Sequence, residues 1–265
     1  MIDYHTHTTY SDGAAIEEMV AAAANAGLDG VGLSDHCCVY TDPFDRSDRY
    51  DFEETYLDRR AEIESLRESY DIEIYDGVEM NYDPNYEDEI RQFLEEAAFD
   101  YAIGSVHYAG EYYIAHPSEL AEADDETKRD AIETYVEWQC QLVESGLFDI
   151  LGHLDIPQRP PSLRGHMAPQ EYRRLAAVLS THSTVPEMNA GRLDRSYATV
   201  HPHPDRFECF EREGVELVLG TDSHAPDQLS RRVSAVRPVV EEASVTVRSR
   251  LPAGERSRSL FRTPP

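Results

Sequence analysis

Seven short apolar runs, separated by helix-like segments, constrain the fold of this 265-residue chain more than any other feature. They cover residues 2–5, 30–36, 72–80, 101–107, 149–155, 183–189 and 215–224. Most of them are continuously apolar, as expected for parallel strands that are covered on both faces. The intervening segments have helical patterns, and Gly27 is placed to end the alanine-rich first one. This alternation predicts a parallel α/β architecture, although Pro186 weakens the assignment of the sixth strand.

Imidazole and carboxylate side chains stand at the C-terminal ends of nearly all these runs. In a (β/α) barrel that end of the strands forms the active-site face. A doubly wound open sheet, the alternative architecture, normally gathers its ligands at one switch point. Because nearly every strand contributes, we predict an irregular or seven-stranded barrel.

His5 and His7 have the spacing that places two side chains on the same side of an extended strand. Asp222 and His224 repeat this spacing after the clearest strand of the chain. A single such pair is a weak indication of a metal site, because surface histidines are equally common. Asp12 lies just before the first helix, where a helix cap is the alternative to a metal ligand.

Glu79 provides the strongest chemical argument, because a carboxylate inside an apolar strand is costly without a nearby cation. Its two oxygens could bridge two metal ions. His36, His107 and His153 follow the same strand-end pattern, although each alone could be a core histidine.

Nine residues are therefore candidate metal ligands. They are His5, His7, Asp12, His36, Glu79, His107, His153, Asp222 and His224. Nitrogen and oxygen ligands suit Zn²⁺, Mn²⁺ or Fe²⁺, and nine of them can serve two or three divalent ions. The other five histidines are predicted to lie at the surface or in loops. These are His116, His166, His182, His201 and His203.

The charge of the chain excludes several kinds of partner. The formal net charge is -28, and Lys128 is the single lysine. Nucleic acids and anionic membranes bind clustered basic residues, so both are disfavoured as partners. The N-terminal sequence lacks the pattern of a signal region, and we expect a cytoplasmic protein. Such acid-rich, lysine-poor compositions are typical of high-salt cytoplasm, so we predict a halophilic source.

We expect a single catalytic domain over residues 1–240. Residues 241–265 are rich in Arg, Pro and Ser and are predicted to form a weakly ordered tail. The four cysteines form no CxxC motif, which argues against a disulfide framework or a thiolate zinc site.

The segments HTHTTYSDG, SDH, GVEMN, GSVH, GHLD and GTDSH, in this order, resemble those of the PHP (polymerase and histidinol phosphatase) family. The resemblance covers about residues 1–230. Within the family the chain is most similar to the histidinol-phosphate phosphatases, which the motif EMNAGRL before HPHPDRF supports. The resemblance implies a distorted (β/α)7 TIM-like barrel, the PHP fold, with a trinuclear metal site.

The resemblance also implies how the ligands are shared among three metals. The first metal would be held by His5, His7, Glu79 and Asp222, the second by Glu79, His107 and His153, and the third by Asp12, His36 and His224. Glu79, Asp222 and His224 are expected to act in catalysis.

Arg159 and Arg192 follow strand ends, and guanidinium groups bind phosphate oxygens in a bidentate manner. Surface ion pairs are the alternative for both, and Arg164 is a weaker third candidate. The expected partner is a small phosphorylated metabolite. We expect a metal-dependent phosphomonoesterase that hydrolyses L-histidinol phosphate, an intermediate of histidine biosynthesis, through a hydroxide held between two metals. Glu187 is a further residue that could face the pocket, support the ligands or be purely structural.

Two alternatives remain open. The same metal ligands could cleave phosphoesters of nucleotides or oligonucleotides, although the acidity of the chain disfavours polymeric substrates. A non-catalytic metal-binding module is the alternative of a different class, and it predicts that ligands are missing.

Overall fold

The computed structural model of the protein describes residues 1–40, 52–115 and 120–251. Its strands are β1 (Ile2–Thr6), β2 (Gly30–Cys37), β3 (Glu73–Asn81), β4 (Tyr101–Ser105), β5 (Tyr108–Ala109), β6 (Tyr112–Tyr113), β7 (Ile150–Leu151), β8 (Val185–Asn189), β9 (Leu217–Gly220) and β10 (Val247–Arg248). Its helices are α1 (Ile16–Asn25), α2 (Phe52–Arg67), α3 (Glu87–Ala97), α4 (Asp125–Glu144), α5 (Pro169–Leu179), α6 (Phe207–Arg212) and α7 (Pro226–Glu242).

Each of the seven predicted strands is present, and together with β10 they form an eight-stranded parallel sheet. The strand order is β1-β2-β3-β4-β7-β8-β9-β10, and β5 pairs with β6 in a separate antiparallel hairpin. The sixth predicted strand is β8, and Pro186 lies near its start, paired with Leu151. The predicted parallel α/β barrel is therefore confirmed.

The sheet curls so that β1 meets β9 at the C-terminal ends of the strands. The amide of His7 donates to the carbonyl of Ser223, and the amide of Asp222 donates to the carbonyl of His5. At the other end of β9, Leu217 and Val218 pair with β10. The barrel is thus distorted, because β1 and β10 share the same edge of β9.

Tyr101 fills the space between three strands inside the barrel. Its side chain is 2% exposed, and its hydroxyl donates to the carbonyl of Tyr4. A Cβ atom on Gly32 or Gly77 would lie 2.1 or 2.2 Å from atoms of the Tyr101 side chain. The two glycines are therefore required by the ring that packs against them.

The helices cover the outside of the sheet, and their ends follow from local sequence. α1 is followed by Gly27, whose φ of +70° is the left-handed conformation that glycine adopts easily. The carboxylate of Asp124 accepts a hydrogen bond from the amide of Thr127 and so caps α4. α1 packs against α7 through apolar residues that include Val20 and Val233.

The ordered body extends beyond residue 240, where the sequence places the start of the tail. β10 is paired with β9, and Arg250 forms an ion pair with Glu73. The amide of Leu251 donates to the hydroxyl of Tyr4. Residues 252–265, the rest of the predicted tail, lie outside the described residues, as does His116. Within the described ranges, no helix is both long and apolar enough to span a lipid bilayer.

Candidate metal centre

The structure brings all nine candidate ligands to one face, at the C-terminal ends of the strands. Three groups of ligand atoms form there, each with its atoms within 4.8 Å of one another. The groups are His5, His7 and Asp222; Glu79, His107 and His153; and His7, Asp12, His36 and His224. Each group can hold a divalent ion, and His7 belongs to two of them.

His5 and His7 lie at the centre of this face. Both imidazoles are fully buried, and His7 Nε2 lies 3.5 Å from an oxygen of Asp222. Among the described residues, His5 Nε2 and both ring nitrogens of His7 have no hydrogen-bond partner. Buried polar atoms are nearly always satisfied, so these nitrogens fit metal ligands better than structural side chains.

Glu79 lies between two groups of imidazoles and is 1% exposed. Its Oε2 lies 3.4 Å from His5 Nε2 and 3.7 Å from His7 Nε2. Its Oε1 lies 3.1 Å from His153 Nε2 and 3.8 Å from His107 Nε2. Ser105 Oγ donates to the same Oε1 at 2.6 Å. The two oxygens therefore face different groups, as a bridging carboxylate requires.

Asp12 joins the third group and does not cap the first helix. Its Oδ1 lies 3.3 Å from His224 Nε2 and 3.8 Å from His36 Nε2. The N-cap residue of α1 is Ala15, which makes no side-chain cap bond. Gly13 allows the tight turn, because a Cβ there would lie 2.1 Å from the carbonyl oxygen of His7.

The charges of this cluster are strongly coupled. Burial disfavours charge on His5 and His36, but the neighbouring carboxylates prevail and raise the pKa of both, that of His36 to about 9. Burial, together with the nearby His224 and His36, lowers the pKa of His7 to about 4. Burial opposes the ionisation of Glu79 and Asp222 as well, yet the surrounding imidazoles hold the pKa of both carboxyls well below the usual range. The carboxylates are thus ionised and ready to bind cations.

Three side chains outside the nine orient the ligands. Glu187 Oε1 accepts a hydrogen bond from His5 Nδ1 at 2.8 Å, and Asn81 Oδ1 accepts one from His107 Nδ1 at 3.0 Å. Each bond leaves the Nε2 lone pair of its histidine free to face the cluster. Asp35 accepts hydrogen bonds from Thr8 and Ser11 and so holds the turn that leads to Asp12. Glu187, for which the sequence left three roles open, therefore supports the ligands.

Of the three candidate arginines, Arg159 contacts the metal face directly. Arg159 NH2 is 3.2 Å from Asp222 Oδ2. Arg192 follows Gly191, where a Cβ would lie 2.7 Å from Asp222 Oδ2. Arg164 instead donates to the carbonyls of Gln158 and Arg159, so it holds the loop.

One of the remaining histidines lies in a connecting segment, as predicted, but not at the surface. His201 is fully buried, not at the surface, and it contacts Asp155 and Arg159. His201 begins the motif HPHP, whose prolines are typical of loops, and no apolar periodicity in the sequence indicates that it is buried. His182 is exposed, and His166 and His203 are partly exposed, in agreement with the sequence.

A family model and several known proteins match this chain. Residues 3–189 match the family model described as PHP domain. The chain is 28% identical over 259 residues to a protein of Deinococcus radiodurans named "Probable histidinol-phosphatase", covering 93% of this chain and 95% of the relative. It is 26% identical over 256 residues to "Histidinol-phosphatase" of Lactococcus lactis, covering 91% of each.

The fold is shared with solved structures, one of which contains bound molecules. It is the histidinol phosphate phosphatase of Lactococcus lactis in complex with zinc, L-histidinol and phosphate. The TM-score is 0.74 with 23% sequence identity, over 93% of this chain and 94% of the other. At this identity the likeness concerns the arrangement of the strands and helices.

Proposed function

The chain belongs to the PHP domain family, and on that premise we propose that it is a metal-dependent phosphatase that hydrolyses L-histidinol phosphate to L-histidinol and phosphate. The observation that supports this most is Glu79, whose two oxygens face separate groups of buried imidazoles. The two relatives named as histidinol-phosphatases match more than nine-tenths of the chain, which supports the choice of substrate.

The donor set fits two or three divalent ions. His5, His7, Glu79 and Asp222 would hold the first, Glu79, His107 and His153 the second, and Asp12, His36 and His224 the third, with His7 close to both the first and third groups. Zinc, manganese and iron all suit these ligands. Bound cations would lower the pKa of a nucleophilic water and offset the charge of the phosphoryl oxygens.

Arg159 and Arg192 would bind the phosphoryl oxygens. The Nε of Arg192 is buried, and within the described part of the chain it has no hydrogen-bond partner. Burial and the charge of Arg159 lower the pKa of Arg192, so the two guanidinium groups are close enough to repel each other. Two cations held together beside a carboxylate-rich face favour an anion between them.

Aromatic residues beside the second group of ligands are suited to the imidazole of histidinol. Tyr40 and Tyr86 stack with their ring centroids 4.4 Å apart, and Asn81 connects Tyr40 to His107. The ring centroid of Tyr113, in the β5–β6 hairpin, lies 6.5 Å from that of His107. Asp222 and His224, which lie beside Arg159 and Asp12, would take part in catalysis as ligands of the metals that bind the phosphoryl group.

A substrate panel tests the proposal. The protein, loaded with Zn²⁺ or Mn²⁺ in high salt, is offered histidinol phosphate, a 3′,5′-nucleoside bisphosphate, single-stranded DNA and an aryl phosphate. We expect phosphate release to be fastest from histidinol phosphate. Preference for the nucleotide or DNA would replace this function with the alternative phosphoesterase, and metal binding without any turnover would indicate a binding module.

Two variants complete the panel. Glu79→Gln should abolish turnover, because the neutral amide has only one oxygen and cannot bridge two metal ions. Exposed Glu241, changed to glutamine, is the matched control and should keep the wild-type rate. Retained turnover in Glu79→Gln would contradict the proposed site.

A further inference from the structure

A buried carboxylate–imidazole pair lies directly behind Arg159. Asp155 and His201 are both fully buried, and His201 Nδ1 donates a hydrogen bond to Asp155 Oδ1. The other oxygen of Asp155 accepts from the hydroxyl of Tyr172 at 2.9 Å and from the amide of His203 at 3.0 Å. Both oxygens of Asp155 are thus occupied by hydrogen bonds, and Asp155 is not a metal ligand of the groups described above.

The second ring nitrogen of His201 determines what this pair does. His201 Nε2 accepts a hydrogen bond from Arg159 Nε at 3.2 Å. A guanidinium group has donors and no acceptor, so Nε2 must carry a lone pair. Burial is the main reason that the pKa of His201 falls to about 4, and the charge of Arg159 acts in the same direction. His201 is therefore neutral, and its single ring proton faces Asp155.

The imidazole has little freedom to turn. The ring of Tyr197 stacks on it at a centroid distance of 4.7 Å and an angle of 14°. Arg164 covers the other side of this stack, with its guanidinium carbon 5.2 Å from the centroid of Tyr197. The backbone of His201 is also paired with that of Asn189 in both directions. The acceptor atom that meets Arg159 is consequently fixed in place.

Arg159 is held at two of its nitrogens. Its Nε meets His201, and its NH2 lies 3.2 Å from Asp222 Oδ2 at the metal face. Because the guanidinium group is planar, two fixed nitrogens set the direction of its remaining N–H bonds. An arginine oriented before the anion arrives loses less side-chain entropy on binding it.

We propose that the Asp155–His201 pair is a positioning device that holds Arg159 in the orientation in which its guanidinium binds the phosphoryl group of the substrate. This inference rests on the proposed function, since Arg159 is assigned there to phosphate. Asp155 and His201 themselves would not touch the substrate. Their effect passes through one hydrogen bond, from Arg159 Nε to His201 Nε2.

Two substitutions at His201 separate this bond from the rest of the site. The amide nitrogen of asparagine superimposes approximately on Nδ1 of histidine, so His201→Asn can keep the bond to Asp155 but has no acceptor for Arg159. The amide oxygen of glutamine can occupy the place of Nε2, so His201→Gln can keep the acceptor and lose the bond to Asp155. The readouts are KM and kcat for histidinol phosphate and the affinity for inorganic phosphate, each with metal-loaded protein.

We expect His201→Asn to raise KM and weaken inorganic phosphate binding by about tenfold, as for the loss of one charged hydrogen bond. His201→Gln should stay within about threefold of the wild type. In an Arg159→Met background, His201→Asn should cause no further loss, because the two residues act through the same bond. Equal effects of Asn and Gln, or additive effects of His201→Asn and Arg159→Met, would assign His201 a merely structural role and overturn the proposal.

The test does not depend on the identity of the substrate. If the wild-type protein does not hydrolyse histidinol phosphate, the proposed function fails, while the binding of inorganic phosphate, measured by calorimetry, still tests the role of His201. If His201→Asn does not fold, Arg159→Lys tests whether the planar group that His201 holds is needed for phosphate binding. It keeps the charge but lacks the planar group, and undiminished phosphate binding by that variant would also overturn the proposal.

Discussion

Replacing Glu187 by glutamine should weaken metal binding without changing the shape of the site. Glu187 is fully buried and accepts hydrogen bonds on both oxygens. Oε1 accepts from His5 Nδ1 at 2.8 Å, and Oε2 accepts from the amide of His153 at 3.0 Å and from Asn189 Nδ2 at 3.1 Å. All of its partners are donors, so a carboxylate satisfies them and an amide cannot.

The magnitude follows from this mismatch. Whichever way the glutamine amide turns, its NH₂ group faces at least one N–H donor. Asn189 cannot easily flip to resolve this, because its Oδ1 accepts from the amide of Gly191 at 2.8 Å. One unsatisfied buried donor costs about 1–3 kcal/mol. Since the lost bond also fixes the tautomer of His5, we expect metal affinity to fall about 10- to 100-fold.

The affinity is measured by competition with a chelator of known strength, together with the metal content of the purified protein. Asp100→Asn is the matched control, because Asp100 precedes β4 at the opposite end of the barrel and binds Arg67 and the amide of Asp76. It should lower stability but leave metal affinity unchanged. Wild-type metal affinity in Glu187→Gln would refute the reasoning that this carboxylate orients His5.

Further predictions concern the metal content, the packing of the core, and the dependence of stability on pH and on salt. Glu79→Gln should lower the metal content by about two ions per chain, since its oxygens face two groups of imidazoles; elemental analysis that finds the wild-type content would contradict the bridging role. Gly77→Ala should lower the free energy of unfolding by at least about 2 kcal/mol in urea titrations, because its Cβ would lie 2.2 Å from the ring of Tyr101; an unchanged midpoint would show that the ring can move. The pKa of His201 is about 4 in the folded protein, below its ordinary value of 6.5, so the unfolded chain takes up this proton first. The free energy of unfolding of the metal-free protein should therefore fall by up to about 3 kcal/mol as the pH falls from 6.5 towards 4. His201→Asn lacks this titrating group. The difference between its free energy of unfolding and that of the wild type should therefore shrink over the same pH range. A net charge of -28 predicts a melting temperature that rises with KCl to molar concentrations, and full stability without salt would remove the halophilic source.

The sequence determined the positions of the strands and indicated all nine candidate ligands. Continuous apolar runs and their spacing are local properties, so all seven parallel strands could be located before the structure. Glu79 was recognisable because a carboxylate at the end of such a run is costly without a cation. The same argument applies to Asp155, which ends the run 149–155, but it could not reveal His201, which lies outside all seven runs.

Only the tertiary structure decided how the polar residues are paired. Glu187 and His5 are 182 positions apart, and His201 and Arg159 are 42 positions apart. The closure of the barrel is likewise nonlocal, because β1 and β10, from opposite ends of the chain, pair along the same edge of β9. Hydrogen bonds depend on atoms within about 3 Å of each other, a distance that the order of residues in a chain does not encode. The chemistry of the ligands could thus be predicted from the sequence, whereas the side chains that orient them required the fold.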